Sequence, residues 1–148
     1  MVDRNRQAEL RDAIEALYFG YRAFTDRADR ILERRGLGRL HHRILYFVGR
    51  HPEVSVTGLL RILAISKQAI NVPLRQLGEM QLVAQSAAPE DRRVKRLRLT
   101  TAGQRLEAEL TGAQMRQLEA AFDAAGRESE AGWAAVMARL AARADQST

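Results

Sequence analysis

The chain has 148 residues, no cysteine and a formal net charge of +6. Without cysteine there is no disulfide framework, no thiolate-held zinc and no thiol redox switch. From the charged start (Asp3, Arg4, Arg6, Glu9) and the lack of an apolar run of membrane-spanning length, neither a signal peptide nor a spanning helix is expected, and the expected location is cytoplasmic.

By length the chain is expected to be one domain, 1–148, or one subunit of an interlocked oligomer. Apolar residues from the N-terminus fall at Leu10, Ile14, Leu17, Tyr21, Phe24, Ala28 and Ile31. Their steps of 4 and 3 make a helical seam that fits a long core helix of a monomer as well as a helix packed on another subunit. Gly36 and Gly38 end it. A second helix is expected at about Arg39 to Arg50, stopped by His51-Pro52. Val54-Ser55-Val56 is a short strand candidate, and Thr57 to Leu63 a short helix with Leu59, Leu60, Ile62 and Leu63 turned inward.

A tight turn leads to Ser66, an N-cap residue type, and a further helix from Lys67 to about Met80. Ile70, Leu74 and Leu77 line one side of it; Gln68, Asn71 and Arg75 line the other. Asn and Gln pair bidentately with adenine and Arg with guanine, so the polar side is suited to base edges. Pro73 lies inside this helix, where it removes a backbone donor. The helix is still expected to continue past it, because Leu77 keeps the inward register.

Leu82-Val83-Ala84 begins a hairpin, Ala88-Pro89-Glu90-Asp91 is its turn, and Val94 to Leu99 returns. The return strand alternates Arg96, Leu97, Arg98, Leu99, the period-2 pattern of a strand with one buried face. Five basic residues (Arg92, Arg93, Lys95, Arg96, Arg98) meet two acidic ones (Glu90, Asp91) between 90 and 98, which suits a polyanion. Across 39–105 there are twelve Lys+Arg and four Asp+Glu, a net +8, and the flanks carry the compensating −2. The whole positive excess therefore lies on the helix-turn-helix and hairpin. Thr100 or Thr101 caps a helix to about Ala125. After Gly126, Ser129 opens a last one bearing Trp133, Val136, Met137 and Leu140.

This order resembles the MarR family of bacterial transcriptional regulators. Leu63-Ala64-Ile65-Ser66-Lys67-Gln68 stands where that family has its helix-turn-helix turn. Asp91-Arg92-Arg93 and Leu97-Arg98-Leu99-Thr100-Thr101-Ala102-Gly103 are similar to its Asp-x-Arg wing turn and its Leu-Thr-x-x-Gly strand-to-helix junction. The resemblance implies a mainly α winged helix-turn-helix with a small β-hairpin wing: a DNA-binding lobe at 39–103 between dimerisation helices at 1–38 and 104–148. It implies a homodimeric repressor on a pseudo-palindromic DNA operator, with possible release by a small aromatic or anionic effector. The DNA contacts so implied are Ser66, Lys67, Gln68, Asn71, Arg75, Arg92, Arg93, Lys95 and Arg96, with Asp91 in a wing salt bridge. Tyr18, Tyr21, Phe24, His41 and His42 are the candidate effector residues. Two positions depart from the family pattern: Ala64 and Gln81 stand where it usually has glycine, and a side chain is less comfortable in a left-handed conformation.

Other chemistry is weakly supported. His41 and His42 diverge by about 100° on a helix, so they do not readily share a metal ion, and no acidic cluster lies near. No cysteine nucleophile, phosphate loop or metal-ligand motif points to an enzyme, and no cofactor is expected. Glu107/Glu109 and Glu128/Glu130 read as solvated faces. The alternative function, an adaptor whose winged helix binds protein, leaves the gathering of positive charge without a reason.

Overall fold

The computed structural model describes residues 3–145, with side chains through residue 143. The expected ranges 1–38 and 104–148 reach beyond it at 1–2 and 146–148. The elements are α1 (Arg4–Glu33), α2 (Arg39–Arg50), β1 (Val54–Ser55), α3 (Val56–Leu63) and α4 (Lys67–Glu79), then β2 (Val83–Ala88), β3 (Asp91–Leu99), α5 (Thr101–Ala125) and α6 (Arg127–Asp145). This is the mainly helical winged helix-turn-helix that the sequence predicts. No described helix is long and apolar enough to cross a membrane.

Two compact units part after Gln114. The core of the first is built by Leu32, Ile44, Leu45, Val48, Leu59, Ile70, Leu77, Leu97, Leu106 and Leu110, each almost fully buried. Each such side chain stabilises by about 1.5–3 kcal/mol relative to leaving it in water. In the second unit the rings of Phe122 and Trp133 lie 5.3 Å apart. Gly126, at φ +97, supplies the left-handed residue between α5 and α6.

The strands form one antiparallel sheet in the order β1-β3-β2. Leu97 is fully buried on the inner face of β3 while Arg98 points out, as the alternation requires. β3 starts three residues earlier than the sequence suggests. Ala88 pairs with Asp91 and Ala87 with Lys95, so residues 92–94 form an extra loop of strand at the wing tip. In α3, Ile62 is exposed rather than inward. Leu60 and Ile62 lie about 160° apart on a helix, so one stripe does not take both.

α3 and α4 end in the same way, on a left-handed residue that is not glycine. Ala64 has φ 54 and Gln81 φ 58. The next amide in each case reaches back over a full turn: Ile65 to the Leu60 carbonyl at 3.3 Å, and Leu82 to the Leu77 carbonyl at 2.9 Å. These are Schellman caps, and their hydrogen bonds hold Ala64 and Gln81 in a conformation that costs an L-residue about 1–2 kcal/mol.

The Leu-Thr-x-x-Gly junction has a steric cause. The Thr100 hydroxyl donates to the Gln81 carbonyl at 2.6 Å and accepts the Gly103 amide at 3.0 Å, capping α5. The first turn of α5 is thereby drawn onto the chain at Leu82. A β-carbon on Gly103 would stand 2.0 Å from the Leu82 carbonyl oxygen, so only glycine fits.

Candidate nucleic-acid interface

α4 starts cleanly because the Ser66 hydroxyl accepts the Ala69 amide at 3.1 Å. Ile70, Leu74 and Leu77 are buried, which turns Lys67, Gln68, Asn71 and Arg75 to solvent. Arg75 lies 3.8 Å from Glu79 in an exposed pair, worth little in water, so its guanidinium remains available. The helix runs unbroken through Pro73. The proline lacks the amide that would bond the Ala69 carbonyl.

α4 is held from behind by His41. Its Nδ1 accepts the Gly38 amide at 3.0 Å, which places the proton on Nε2. That Nε2 then donates to Gln76 Oε1 at 2.7 Å. One imidazole thus caps α2 and braces α4.

The wing sorts its basic residues into two groups. Arg93 is tied at the tip: the Asp91 carboxylate accepts its backbone amide at 3.0 Å and its Nε at 3.2 Å. These bonds, the amide first, hold the Asp91 carboxyl below its usual range. Arg96 is tied at the base. It pairs with Glu90, donates to the Glu53 carbonyl at 3.4 Å, and is only one-third exposed. Glu90 also lies below its usual range, chiefly through a bond from its own amide and then through Arg96. Among the described residues, Arg92, Lys95 and Arg98 are exposed without a carboxylate partner. Arg93 keeps 92% of its side-chain surface even when paired. The surface around the tip is therefore cationic, its geometry set by Asp91 and Glu90.

The candidate effector residues separate. Tyr21 lies 6.5 Å from Phe24, under the Arg39 guanidinium at 5.8 Å, and its hydroxyl accepts from Arg43 at 2.9 Å. Arg39 is anchored by Asp29 and Thr25. Tyr18 instead packs edge-on against Phe19 and is largely exposed. His41 is committed to Gln76, and His42 is buried with its Nε2 unpartnered. Burial pulls the His42 pKa down, more than nearby Glu107 and Asp29 raise it. No group of three or more metal-ligating side chains occurs among the described residues.

Sequence reasoning missed the two supports, Gln76 and Glu90, because each is defined by a partner distant in the chain or across a turn. It also missed Val72, exposed between Asn71 and Pro73 on the polar side of α4. Its signal was present: it lies two residues from both Ile70 and Leu74.

Comparison with known proteins agrees with this geometry. A family model described as MarR family matches residues 35–94. The HTH-type transcriptional regulator PetP of Rhodobacter capsulatus is 42% identical over 129 residues, covering 87% of this chain and 78% of that protein. The crystal structure of the MarR family transcription regulator SP03579 superposes with a TM-score of 0.78 at 22% identity, covering 96% of this chain and 94% of that one. Streptococcus pneumoniae FabT, solved in complex with DNA, gives a TM-score of 0.76 at 17% identity over 99% of this chain and all of its own. The exposed polar face of α4, the braced arginine wing and the relation to PetP lead to one assignment: the chain belongs to the MarR family of transcriptional regulators.

Proposed function

We propose that the chain is a homodimeric, sequence-specific repressor that reads a pseudo-palindromic DNA operator. Gln68, Asn71 and Arg75 of α4 meet base edges in the major groove, while Ser66 and Lys67 meet backbone phosphates. Arg92 and Arg93 reach the neighbouring minor groove, Lys95 adds phosphate contact, and Arg96, with Asp91, shapes the wing. The single observation that carries this reading is the pairing pattern of the wing. Its acidic residues are spent on orienting Arg93 and Arg96, which leaves the tip cationic and ordered. FabT, similar in fold, was solved with DNA, which supports the same mode.

The dimer reading rests on apolar side chains that this chain leaves exposed: Leu10, Ile14 and Leu17 on α1, and Trp133, Val136 and Leu140 on α6. Two lobes at fixed spacing suit adjacent major-groove sites one helical turn apart. A small aromatic or anionic effector would act around Tyr21, where Arg39 and Arg43 bring two cations to one aromatic ring, with Tyr18 and Phe24 three residues away on α1 and His41 and His42 between the two arginines on α2.

Selection from a random duplex library, followed by affinity measurements across a salt series, tests the DNA reading. One enriched inverted repeat and a log K falling linearly with log salt are expected. Arg92→Ala with Arg93→Ala should weaken all duplexes and flatten the slope by about 1 for each phosphate that is no longer neutralised. Salt-independent binding, or no enriched sequence, overturns it. Light scattering at micromolar concentration should give twice the 16.6 kDa chain mass; a monomer overturns the dimer.

A further inference from the structure

We propose that Val72 is a specificity residue of the recognition helix, reading the C5-methyl group of a thymine in each half-site. The inference rests on the DNA-binding reading above and assigns a chemical role within it. Val72 is 48% exposed, although it is a large apolar residue in a helix whose other face is well packed. It lies about 160° round the helix from both Ile70 and Leu74, almost diametrically opposite the buried stripe. No other side chain on the first two turns of α4 points so directly away from the core.

The fold gains little from valine here. A β-branched residue loses side-chain freedom in a helix. The residue before proline is additionally pushed away from helical geometry, and Pro73 follows directly. Val72 is absent from the apolar cluster that fills the first unit. A lone surface valine is ordinary; one set among Gln68, Asn71 and Arg75 at the crest of a recognition face is not placed at random. Gln68 precedes it by four residues and Arg75 follows by three, so all three share one side of the helix.

The major groove presents hydrogen-bonding groups at every base pair and one apolar group, the methyl of thymine. A valine at the crest is complementary to that methyl. It is anti-complementary to the amino group of cytosine, which it would strip of water without offering an acceptor. The polar neighbours then read the flanking pairs by hydrogen bonds, while Val72 excludes cytosine at its own.

The test uses the full chain and its selected duplex, with each thymine replaced singly by deoxyuridine, which removes only the methyl group. Wild-type protein should lose about fourfold in affinity at one symmetric pair of positions, the worth of one buried methyl. Val72→Ala, which alters both protomers, should bind the unmodified duplex about as weakly as wild type binds the duplex with uracil at both positions of the pair, and lose its sensitivity at that pair alone. Val72→Thr, of similar shape, should partly keep it. The salt slope should be unchanged in both variants, because the phosphates engaged are the same. A uracil scan that is flat for wild type on a tightly selected duplex overturns the role of Val72 and leaves the DNA reading intact. So does a methyl-sensitive position that persists unchanged in Val72→Ala. Failure to select any sequence overturns both.

Discussion

The winged-helix segment and the first half of α1 use the same apolar residue types to opposite ends. Between α2 and β3, Ile44, Leu45, Leu59, Ile70, Leu77 and Leu97 are buried almost completely within the chain. Along α1, Ile14 is 68% and Leu17 52% exposed, on a seam just as regular, and the seam becomes buried only at Ala28, with Ile31 half-buried beyond it. A periodic stripe states that a helix has a partner; it does not state whether the partner belongs to the same chain. The buried residues of 39–103 thus pack within the chain, together with Leu32, Leu106 and Leu110, whereas Leu10, Ile14 and Leu17 of the α1 seam stay exposed.

The sharpest way to break that contrast is Gly103→Ala. The added carbon meets backbone at 2.0 Å, so α5 must move away from Leu82 and the Thr100 cap must open. Thermal unfolding should show a loss of about 3 kcal/mol, at the upper end of overpacking costs, and independent of protein concentration. A loss below about 1 kcal/mol would show that α5 is not fixed at this point. Ile14→Asp should behave oppositely. In the isolated chain this side chain faces water, so the winged-helix segment should keep its fold by circular dichroism. The variant should nevertheless become monomeric, and its melting temperature should lose the concentration dependence that association gives the wild type. Unaltered mass in light scattering would show that the seam is not the interface.

The same contrast explains what the sequence made legible. Turns, caps and the wing are local: Ser66 before Lys67, Thr100 three residues before Gly103, and Arg-Leu alternation on β3 each signal their structure within a few residues. The left-handed geometry at Ala64 and Gln81 was legible only through the family pattern, since neither residue type favours it. What stayed hidden depends on contacts distant in sequence. His41 stands among the candidate effector residues, and its hydrogen bond to Gln76, thirty-five positions on, is not signalled by the residues around it. For Arg96 the family pattern implies a DNA contact, and its engagement by Glu53 and Glu90 comes to light only in the fold. The exposed position of Ile62 followed from helical geometry that residue type alone does not convey.

Ala64→Gly refines the account of how α3 is joined to α4. Glycine removes the steric cost of φ 54, about 1–2 kcal/mol, but adds freedom to the unfolded chain worth about 0.4–1 kcal/mol. A net gain of about 0.5–1 kcal/mol in chemical denaturation is expected, with the denaturant slope unchanged. Loss of stability would mean that the alanine methyl contributes packing that outweighs its strain.

The smallest effect concerns His42, where the winged-helix segment meets α1 chemistry. The imidazole is buried with Nε2 unpartnered, and Asp29 on α1, Glu107 on α5 and Arg43 beside it are the charges acting on it. Burial dominates, so the folded pKa lies below the ordinary histidine value of about 6.5. The folded protein consequently binds a proton less readily than the unfolded chain. Stability from this group is complete above about pH 6.5 and is lost as the pH falls from there towards the folded pKa. Asp91 and Glu90, also shifted down, lose their contribution only as the pH drops through the carboxylate range, about 4 and below. The interval between about pH 6.5 and 4.5 therefore isolates the histidine. Wild-type melting temperature should decline across it, and His42→Leu should flatten that decline while leaving the steeper fall below pH 4 in place. An equal slope in the two proteins would mean that water reaches Nε2 and satisfies it, and that burial costs the charged form nothing.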